Sequence, residues 1–392
     1  MTSPLPLTVM LVAAEASGDD RGAGLMRALK ARLADKVRFV GVGGPRMAAE
    51  GLDSPFDITE LSVLGLLEGV MAYGKVIRRA DETAAIAARE KPDIAVLIDS
   101  WGFTLRVAQR LGLADPTLSL VKYVGPQIWA SRPGRARVAA GAYDHLLTIH
   151  AFDAPAFEAA GLPTTFVGNS ALALDFAAAD PAGLRAGLGA AAGDSILLVL
   201  PGSRPAEIAR VLPPFLEAAR RLKAQRPNLH VLVAAAATVA DRVREQVGAE
   251  FAVIEGQADK LSAMKAATVA LACSGTVTTE LALAGCPMVV GYRIGAVSYA
   301  ILKRLVSTRW ITLMNIAAQA GVVPELIQAD CTPEALAREA GRFLDDRDLR
   351  EDQIAAQAAA LETMGRDLSS DPDAAAAEAV LAVIRRASPR PG

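Results

Sequence analysis

The 392-residue sequence is poor in cysteine, histidine and aromatic residues, and it contains no long uncharged run. Its three cysteines, Cys273, Cys286 and Cys331, are widely spaced, and the three histidines form no ligand-spaced cluster with them. Neither a disulfide framework nor a structural zinc site is therefore expected. The longest uncharged runs, such as residues 159–174 and 310–324, are shorter than the ~20 residues that a membrane-spanning helix needs.

The sequence also lacks an excess of either charge. Lysine and arginine total 41 against 43 acidic residues, so no broadly basic surface for nucleic acid is expected. The first fourteen residues are apolar, but no lysine or arginine precedes them and an acidic cluster follows. This pattern does not support a secretory signal and indicates a cytoplasmic protein. A chain of this length predicts two domains.

Residues 196–208 have the pattern of a strand, a tight turn and a helix. Residues 196–200 are an unbroken apolar run, a proline–glycine pair ends it, and apolar residues then recur at helical spacing. Ser203 is the expected N-cap of the helix. A helix start offers free N–H groups and Arg204 adds a cation, so the turn is suited to bind phosphate. The alternative is an ordinary turn in which Arg204 pairs with a carboxylate such as Glu207.

Strand and helix patterns alternate along both halves of the chain, which predicts parallel sheets covered by helices on both faces. The first half begins with a buried-strand pattern at residues 7–14, a polar glycine turn and a helix. We expect a first domain over residues 1–170 and a second over residues 171–365, with a last helix at about residues 370–390 packing back on the first. The G-x-G-x-x-G fingerprint is absent, so no dinucleotide cofactor is expected.

Asp99 directly follows a strand pattern at residues 93–98 and precedes a helix. Ligands of open α/β sheets bind at the carboxyl ends of the strands, so Asp99 is a candidate catalytic group. The alternative is that Asp99 caps the following helix.

A second glycine turn, formed by Ser274, Gly275 and Thr276, follows a strand pattern at residues 269–272 and opens a helix. Small hydroxyl side chains and free backbone N–H groups suit a diphosphate. Glu280, one turn into the helix, is placed to accept hydrogen bonds from ribose hydroxyls.

Residues 61–77 are too apolar for a helix with one core-facing stripe. The apolar positions include Leu61, Leu64, Leu67, Val70 and Met71. Because Lys75, Arg78 and Arg79 follow, the segment predicts a helix that rests on a membrane surface or accepts an acyl chain. The alternative is an ordinary buried helix joined to a second helix.

A loop at residues 125–135 is rich in turn-forming residues and carries Trp129, Arg132 and Arg135. An aromatic side chain beside cations suits an anionic or sugar ligand. Loops that a rigid scaffold positions commonly carry binding residues. We therefore expect this loop to take part in substrate binding.

Together these segments resemble the lipid-A-disaccharide synthases, bacterial glycosyltransferases that join two acylated glucosamines. The resemblance extends from residue 15 to residue 328. The matching segments are EASGD at 15–19, GGPRM at 43–47, ID at 98–99, WA at 129–130, LPGSR at 200–204 with Glu207, SGT at 274–276 with Glu280, PMV at 287–289, NI at 315–316 and PEL at 324–326.

The resemblance implies the GT-B class, with two Rossmann-like parallel-sheet domains facing a central cleft. The second domain would hold the nucleotide donor, the first the acceptor, and no metal is needed. The implied reaction is an inverting transfer of 2,3-diacylglucosamine from UDP to the 6-hydroxyl of 2,3-diacylglucosamine 1-phosphate, with release of UDP. The protein would attach peripherally to the inner face of the inner membrane, and a homodimer is left open.

The resemblance also implies roles for single residues. Asp99 would be the general base, and Arg204 would hold the diphosphate. The other donor-site residues would be Ser203, Ser274, Gly275, Thr276, Glu280, Asn315, Glu15, Ser17 and Gly18, and the acceptor and its acyl chains would contact Leu61, Leu64, Leu67, Val70, Met71, Trp129 and Arg132.

The chain departs from the family pattern at several positions, including residues 151–153, which read Ala-Phe-Asp where Pro-Phe-Glu is expected. Gly102 and Thr104 stand where an aspartate and an asparagine are expected, and Asn169 and Ser170 replace a His-Pro pair. A divergent substrate is therefore left open. The alternatives are another GT-B UDP-sugar enzyme, such as a 2-epimerase or a transferase for a different lipid, and a non-catalytic two-domain binding protein.

Overall fold

The computed structural model describes residues 6–61, 66–128, 134–172, 174–295, 299, 308–366 and 371–387, without the side chains of residues 35 and 66–73. The chain divides into two compact units, Met1–Asn169 with Asp367–Gly392, and Ser170–Arg366. Each unit contains a six-stranded parallel sheet with flanking helices, which confirms the predicted α/β class.

The sheet of the first unit has the strand order β2-β1-β3-β4-β5-β6. Its strands are β1 (Leu7–Ala13), β2 (Val37–Val42), β3 (Ile94–Ile98), β4 (Ser119–Tyr123), β5 (His145–Thr148) and β6 (Thr164–Phe166). The helices are α1 (Ala16–Leu33), α2 (Pro45–Ala49), α3 (Leu66–Glu90), α4 (Trp101–Ala114), α5 (Arg135–Ala140) and α6 (Ala154–Glu158). Strands β1, β3 and β4 are buried almost throughout, as parallel strands covered on both faces should be.

The C-terminal helix of the chain, Pro372–Ala387, packs on α1 in the first unit, as predicted. Ala376 and Ala377 are fully buried in this contact. Gly24 of α1 allows the close approach, because a Cβ atom at this position would lie 2.2 Å from a carboxylate oxygen of Asp373.

The sheet of the second unit has the strand order β12-β11-β10-β7-β8-β9. Its strands are β7 (Ser195–Leu200), β8 (Leu229–Ala235), β9 (Ala252–Glu255), β10 (Val269–Ala272), β11 (Met288–Tyr292) and β12 (Glu325–Ile327). The helices are α7 (Pro181–Gly187), α8 (Pro205–Gln225), α9 (Ala240–Val247), α10 (Gln257–Ala266), α11 (Thr276–Ala284), α12 (Leu313–Ala318), α13 (Pro333–Asp345) and α14 (Arg347–Thr363). The C-terminal helix, which belongs to the first unit, is α15.

Strand β12 is a short edge strand that the sequence pattern does not predict. Glu325 pairs with Val290 of β11, and the strand adds an edge to the sheet. With three half-buried residues it is too short to show a period-2 pattern.

No helix in the described part of the chain is both long and apolar enough to cross a membrane. Among the same residues, no three His, Cys, Asp or Glu side chains are grouped so that they could hold a metal ion.

Candidate active site

The second unit contains a pocket of about 590 Å³, lined by the residues that follow the carboxyl ends of β7, β8, β9 and β10. Both predicted glycine turns line it, although about seventy residues separate them in the sequence. The predicted site residues that it brings together are Ser203, Arg204, Ser274, Gly275, Thr276 and Glu280. Parallel strands that end at one edge of a sheet place their turns side by side, which explains this convergence.

The first of these turns depends on Gly202 and Glu207. Gly202 has a φ of +111°, and a Cβ atom there would lie 2.5 Å from Oε2 of Glu207. The same oxygen accepts hydrogen bonds from the backbone N–H groups of Ser203 (3.1 Å) and Arg204 (3.2 Å). The prediction that Ser203 caps α8 is corrected, because Arg204 occupies the N-cap position and Pro205 begins the helix.

The Arg204 side chain forms the ion pair that the sequence analysis named as its alternative. Its Nη1 lies 3.2 Å from Oε1 of Glu207, three residues further along, and the side chain is 68% exposed. An exposed pair of this kind contributes about 0–1 kcal/mol. A bound diphosphate, which carries more negative charge, can therefore draw the guanidinium away at little cost.

The second turn opens α11. Its N-cap is Gly275, whose carbonyl accepts a hydrogen bond from the Thr278 hydroxyl (2.8 Å). The Ser274 hydroxyl donates to the carbonyl oxygen of Ile311 (3.2 Å), which ties this turn to the segment before α12. The turn therefore presents the N-terminus of a nine-residue helix to the pocket.

Lys260 is a pocket residue that the sequence analysis missed. It lies in α10, and its Nζ is 2.8 Å from Oε2 of Glu280. Both side chains are mostly buried, at 25% and 20% exposure. Lys260 is a second cation, after Arg204, among the residues that line the pocket. Lys260 is one lysine among several on helices, and only its tertiary position distinguishes it.

Asn315, which is predicted to contact the nucleoside, is buried and hydrogen-bonded within the second unit. Its side chain is 1% exposed and donates to the Val323 carbonyl and the Glu325 carboxylate, both at 2.8 Å. Its oxygen accepts from the Val323 backbone N–H (2.7 Å). Glu325 also accepts the backbone N–H groups of Ile311 and Thr312. Asn315 and Glu325 therefore shape the segment that holds Ser274.

In the first unit, Asp99 lies at the carboxyl end of β3 in a left-handed backbone conformation. Its φ is +50°, and that of Ser100 is +37°. Oδ2 of Asp99 accepts from the Ser17 hydroxyl (3.0 Å) and lies 3.4 Å from the Arg21 guanidinium, while Oδ1 accepts the Ser100 N–H (3.0 Å). Ser100, not Asp99, is the N-cap of α4, so the helix-cap alternative is not what the structure shows.

The start of α1 lies beside Asp99. Ser17 bonds to the carboxylate directly, whereas Glu15 is the exposed N-cap residue of the helix. Gly18 is buried, and a Cβ atom there would lie 3.3 Å from that of Ala13. The structure therefore groups Ser17 and Gly18 with Asp99 in the first unit, and none of the three lines the pocket described above.

Asp99 and Ser100 form a left-handed turn, the Asp99 turn. Lys122 and Thr104 contact this turn, and both side chains are fully buried. The Lys122 ammonium donates to the Asp99 carbonyl and, at 2.7 Å, to the Thr104 hydroxyl. Lys122 is not among the predicted site residues. A lysine inside an apolar strand pattern is the sequence signal that could have identified it. Thr104 is one of the positions at which the chain departs from the family pattern. Gly102 is another, and a Cβ atom added there would approach only the Arg106 side chain, at 3.9 Å.

The predicted acceptor residues are described only in part. Leu61 is 9% exposed and belongs to the core of the first unit, which corrects its assignment to an exposed apolar face. Leu64, Trp129 and Arg132 lie outside the described residues, as do the side chains of Leu67, Val70 and Met71. The cations that follow them are paired: Lys75 and Arg79 with Glu60 (3.4 and 2.8 Å), and Arg78 with Glu82 (3.6 Å).

The chain also resembles solved structures over nearly its whole length. A UDP co-structure of MnaA from S. aureus aligns with a TM-score of 0.60 at 14% identity, covering 96% of this chain and 95% of that one. The UDP-GlcNAc 2-epimerase of Neisseria meningitidis, bound to UDP-GlcNAc, gives 0.57 at 10% identity (97% and 100%). The calicheamicin glycosyltransferase CalG4 gives 0.58 at 16% identity (99% and 100%). These similarities establish the two-domain GT-B fold.

Sequence comparison is more specific. The family model described as lipid-A-disaccharide synthetase matches residues 9–380. The lipid-A-disaccharide synthase of Rhodospirillum centenum is 41% identical over 384 residues, which cover 97% of this chain and 96% of that protein. Its counterpart in Pseudomonas aeruginosa is 40% identical over 385 residues, covering 97% and 99%. The chain therefore belongs to the lipid-A-disaccharide synthetase family.

Proposed function

We propose that this protein is the inverting glycosyltransferase that joins UDP-2,3-diacylglucosamine and 2,3-diacylglucosamine 1-phosphate by a β(1→6) bond in lipid A biosynthesis. The observation that carries the proposal is the family match over residues 9–380. The pocket in the second unit agrees with it, since two turns and two cations line a single cavity of about 590 Å³.

The second unit holds the UDP part of the donor in this proposal. Arg204 and the α11 N-terminus at Ser274–Thr276 bind the diphosphate, and Glu280 accepts hydrogen bonds from the ribose hydroxyls. Lys260 orients Glu280 through their 2.8 Å pair. Solved proteins of the same fold were crystallised with UDP or UDP-GlcNAc, and UDP is the part of those ligands that this donor shares.

The proposed reaction is a single displacement at the anomeric carbon. The 6-hydroxyl oxygen of the acceptor forms a bond to C1 as the bond from C1 to the diphosphate oxygen breaks, and Asp99 takes the hydroxyl proton. The leaving UDP departs with the bonding electron pair. Charge therefore grows on the diphosphate in the transition state, and Arg204 and the α11 N-terminus stabilise it there.

The acyl chains lie against the apolar side chains of Leu64, Leu67, Val70 and Met71 in this proposal, and the same side chains bring the protein to the membrane surface. Because Lys75, Arg78 and Arg79 are paired with carboxylates, the apolar side chains carry most of this attachment. Replacing Leu64 and Leu67 by serine should reduce sedimentation with anionic liposomes while the protein stays folded. Unchanged sedimentation would contradict a membrane role for this segment.

The activity is tested by mixing the purified protein with UDP-2,3-diacylglucosamine and 2,3-diacylglucosamine 1-phosphate. UDP release is followed continuously, and mass spectrometry identifies the disaccharide product. UDP release that requires the acceptor and yields the disaccharide supports the proposal. A parallel reaction with UDP-GlcNAc alone tests the 2-epimerase alternative, because the fold neighbours include epimerases. Epimerised product there, with no disaccharide, would overturn the proposal.

A further inference from the structure

Lys122 is a fully buried lysine near the carboxyl end of β4, and its hydrogen bonds go to the Asp99 turn and to Thr104 in the first turn of α4. Its Nζ donates to the Asp99 carbonyl oxygen and to Oγ1 of Thr104 (2.7 Å). The Thr104 hydroxyl in turn lies 2.9 Å from the Asp99 carbonyl and 3.1 Å from the Ser100 carbonyl. Lys122 and Thr104 therefore hold the backbone of the turn and not the carboxylate itself.

The turn needs such support because two consecutive residues other than glycine rarely adopt the left-handed conformation. Asp99 and Ser100 are consecutive residues with φ values of +50° and +37°. Such residues keep a left-handed conformation only where the surrounding structure enforces it. The backbone N–H of Asp99 donates to the Tyr123 carbonyl of β4 (2.8 Å), which fixes one side of the residue. The carbonyl group of Asp99 needs a separate hydrogen-bond partner.

Burial disfavours the charged form of Lys122 and lowers its pKa to about 7, while the negative charges of Asp99 and Glu15 oppose this shift. A neutral amine still has two N–H groups. These suffice for the Asp99 carbonyl and the Thr104 hydroxyl, so both bonds persist whether or not the amine is protonated. The contact is therefore maintained through the neutral pH range.

We propose that Lys122, together with Thr104, is a positioning residue for the transferase reaction: it fixes the left-handed turn that aims the Asp99 carboxylate. The inference rests on the proposed function, in which Asp99 is the general base. Lys122 belongs to the first unit and does not line the pocket of the second unit, so we expect it to affect turnover and not nucleotide affinity.

The main test is Lys122→Met, which keeps the length and apolar stem of the side chain but removes both hydrogen bonds. A misplacement of a reacting group by about 1 Å costs about 10²-fold in rate, so we expect kcat to fall by about that factor. The dissociation constant for UDP should stay within twofold of wild type. Circular dichroism and thermal unfolding show whether the variant is folded.

Thr104→Val gives a second, gentler test, with Thr83→Val as its matched control. Thr83 is also fully buried in the first unit, and its hydroxyl bonds to the Arg79 carbonyl in α3 (2.7 Å), away from Asp99. We expect Thr104→Val to lower kcat and Thr83→Val to leave it within twofold. Equal activities of the two valine variants would overturn the inference, even if Lys122→Met failed to fold.

A double-mutant cycle separates positioning from a general structural effect. If Lys122 acts through Asp99, adding Lys122→Met to Asp99→Asn should lower kcat little further. A full additional loss in the double variant would overturn the positioning role. A different result would contradict the proposed function: near wild-type turnover by Asp99→Asn would show that Asp99 is not the general base. Inactive Asp99→Asn beside a fully active, folded Lys122→Met would overturn only the inference about Lys122.

Discussion

The turns that carry Asp99 and Arg204 both follow a buried parallel strand, yet they are held in opposite ways. The Asp99 turn uses residues with positive φ that are not glycine, and its partners Ser17, Arg21 and Lys122 are 82, 78 and 23 residues away in the sequence. The Arg204 turn uses a glycine, and its partner Glu207 is three residues away. One turn depends on the tertiary fold, whereas the other is encoded locally.

The difference in construction goes with a difference in freedom. The Asp99 carboxylate is 32% exposed and bonded to three groups, and this fixed geometry suits the proposed general base. The Arg204 side chain is 68% exposed and bonded to one neighbour, and this freedom suits the proposed binding of a diphosphate.

The largest effect is expected for Asp99→Asn. Asparagine tolerates a left-handed backbone, so the turn should persist, but its amide cannot take the proton. Turnover should fall by about 10²–10⁴-fold, the usual contribution of a positioned base, with unchanged UDP affinity. Steady-state kinetics and UDP titration measure the two quantities. Near wild-type turnover would direct the search for the base to Glu15, the exposed residue at the start of α1.

Arg204→Ala should lower kcat by about 10²–10³-fold, because its charge acts on the leaving group as the transition state forms. Stability should change little, since the side chain is exposed and its ion pair is local. Arg210→Ala is the matched control: Arg210 is an exposed arginine on α8, bonded to the Ala206 carbonyl. Equal activity of the two alanine variants would contradict the diphosphate role of Arg204.

Gly202→Ala should destabilise the second unit by about 1–3 kcal/mol, the usual cost of a residue forced into a sparsely populated backbone region. The φ of +111° and the approach of Glu207 to 2.5 Å of an added Cβ atom are the reasons. Gly187→Ala in α7 is the control, because no atom lies within 4 Å of its added Cβ. Urea unfolding compares the two, and equal stabilities would show that the turn does not need its glycine.

The last prediction is a pH dependence of stability that arises from Lys122. Its pKa is about 7 in the folded protein against an ordinary value of 10.5, because burial disfavours the charge. Between these values the unfolded chain binds a proton that the folded chain lacks, so the free energy of unfolding rises with pH, by at most about 1.4 kcal/mol per pH unit. Below about pH 7 both states are protonated, and the dependence ends.

Lys122→Met lacks this contribution, while the other titrating groups cancel in a comparison with wild type. The difference in unfolding free energy, wild type minus variant, should therefore grow as the pH is raised from 7 to 9.5. Urea unfolding at several pH values measures it. A constant difference would show that Lys122 titrates in its ordinary range in the folded protein. The Asp99 turn would then not contain a buried lysine that is neutral above pH 7.

The sequence by itself determined the fold class, most strands and helices, and the two glycine turns that line the pocket of the second unit. The strand at residues 269–272 is observed with the predicted bounds. These features are predictable because apolar periodicity and glycine at strand ends report local backbone preferences. The family resemblance, which the comparisons confirm, likewise rests on short motifs in a fixed order.

Only the tertiary structure decided what individual polar side chains do. Asn315 is committed to Val323 and Glu325, Lys260 to Glu280, and Lys122 to the Asp99 turn. None of these pairings follows from spacing or periodicity, since a polar side chain is satisfied by whichever partner the fold brings within about 3 Å. Where a turn is stabilised by residues close in the sequence, the sequence predicts it; where distant residues stabilise it, the folded chain alone identifies them.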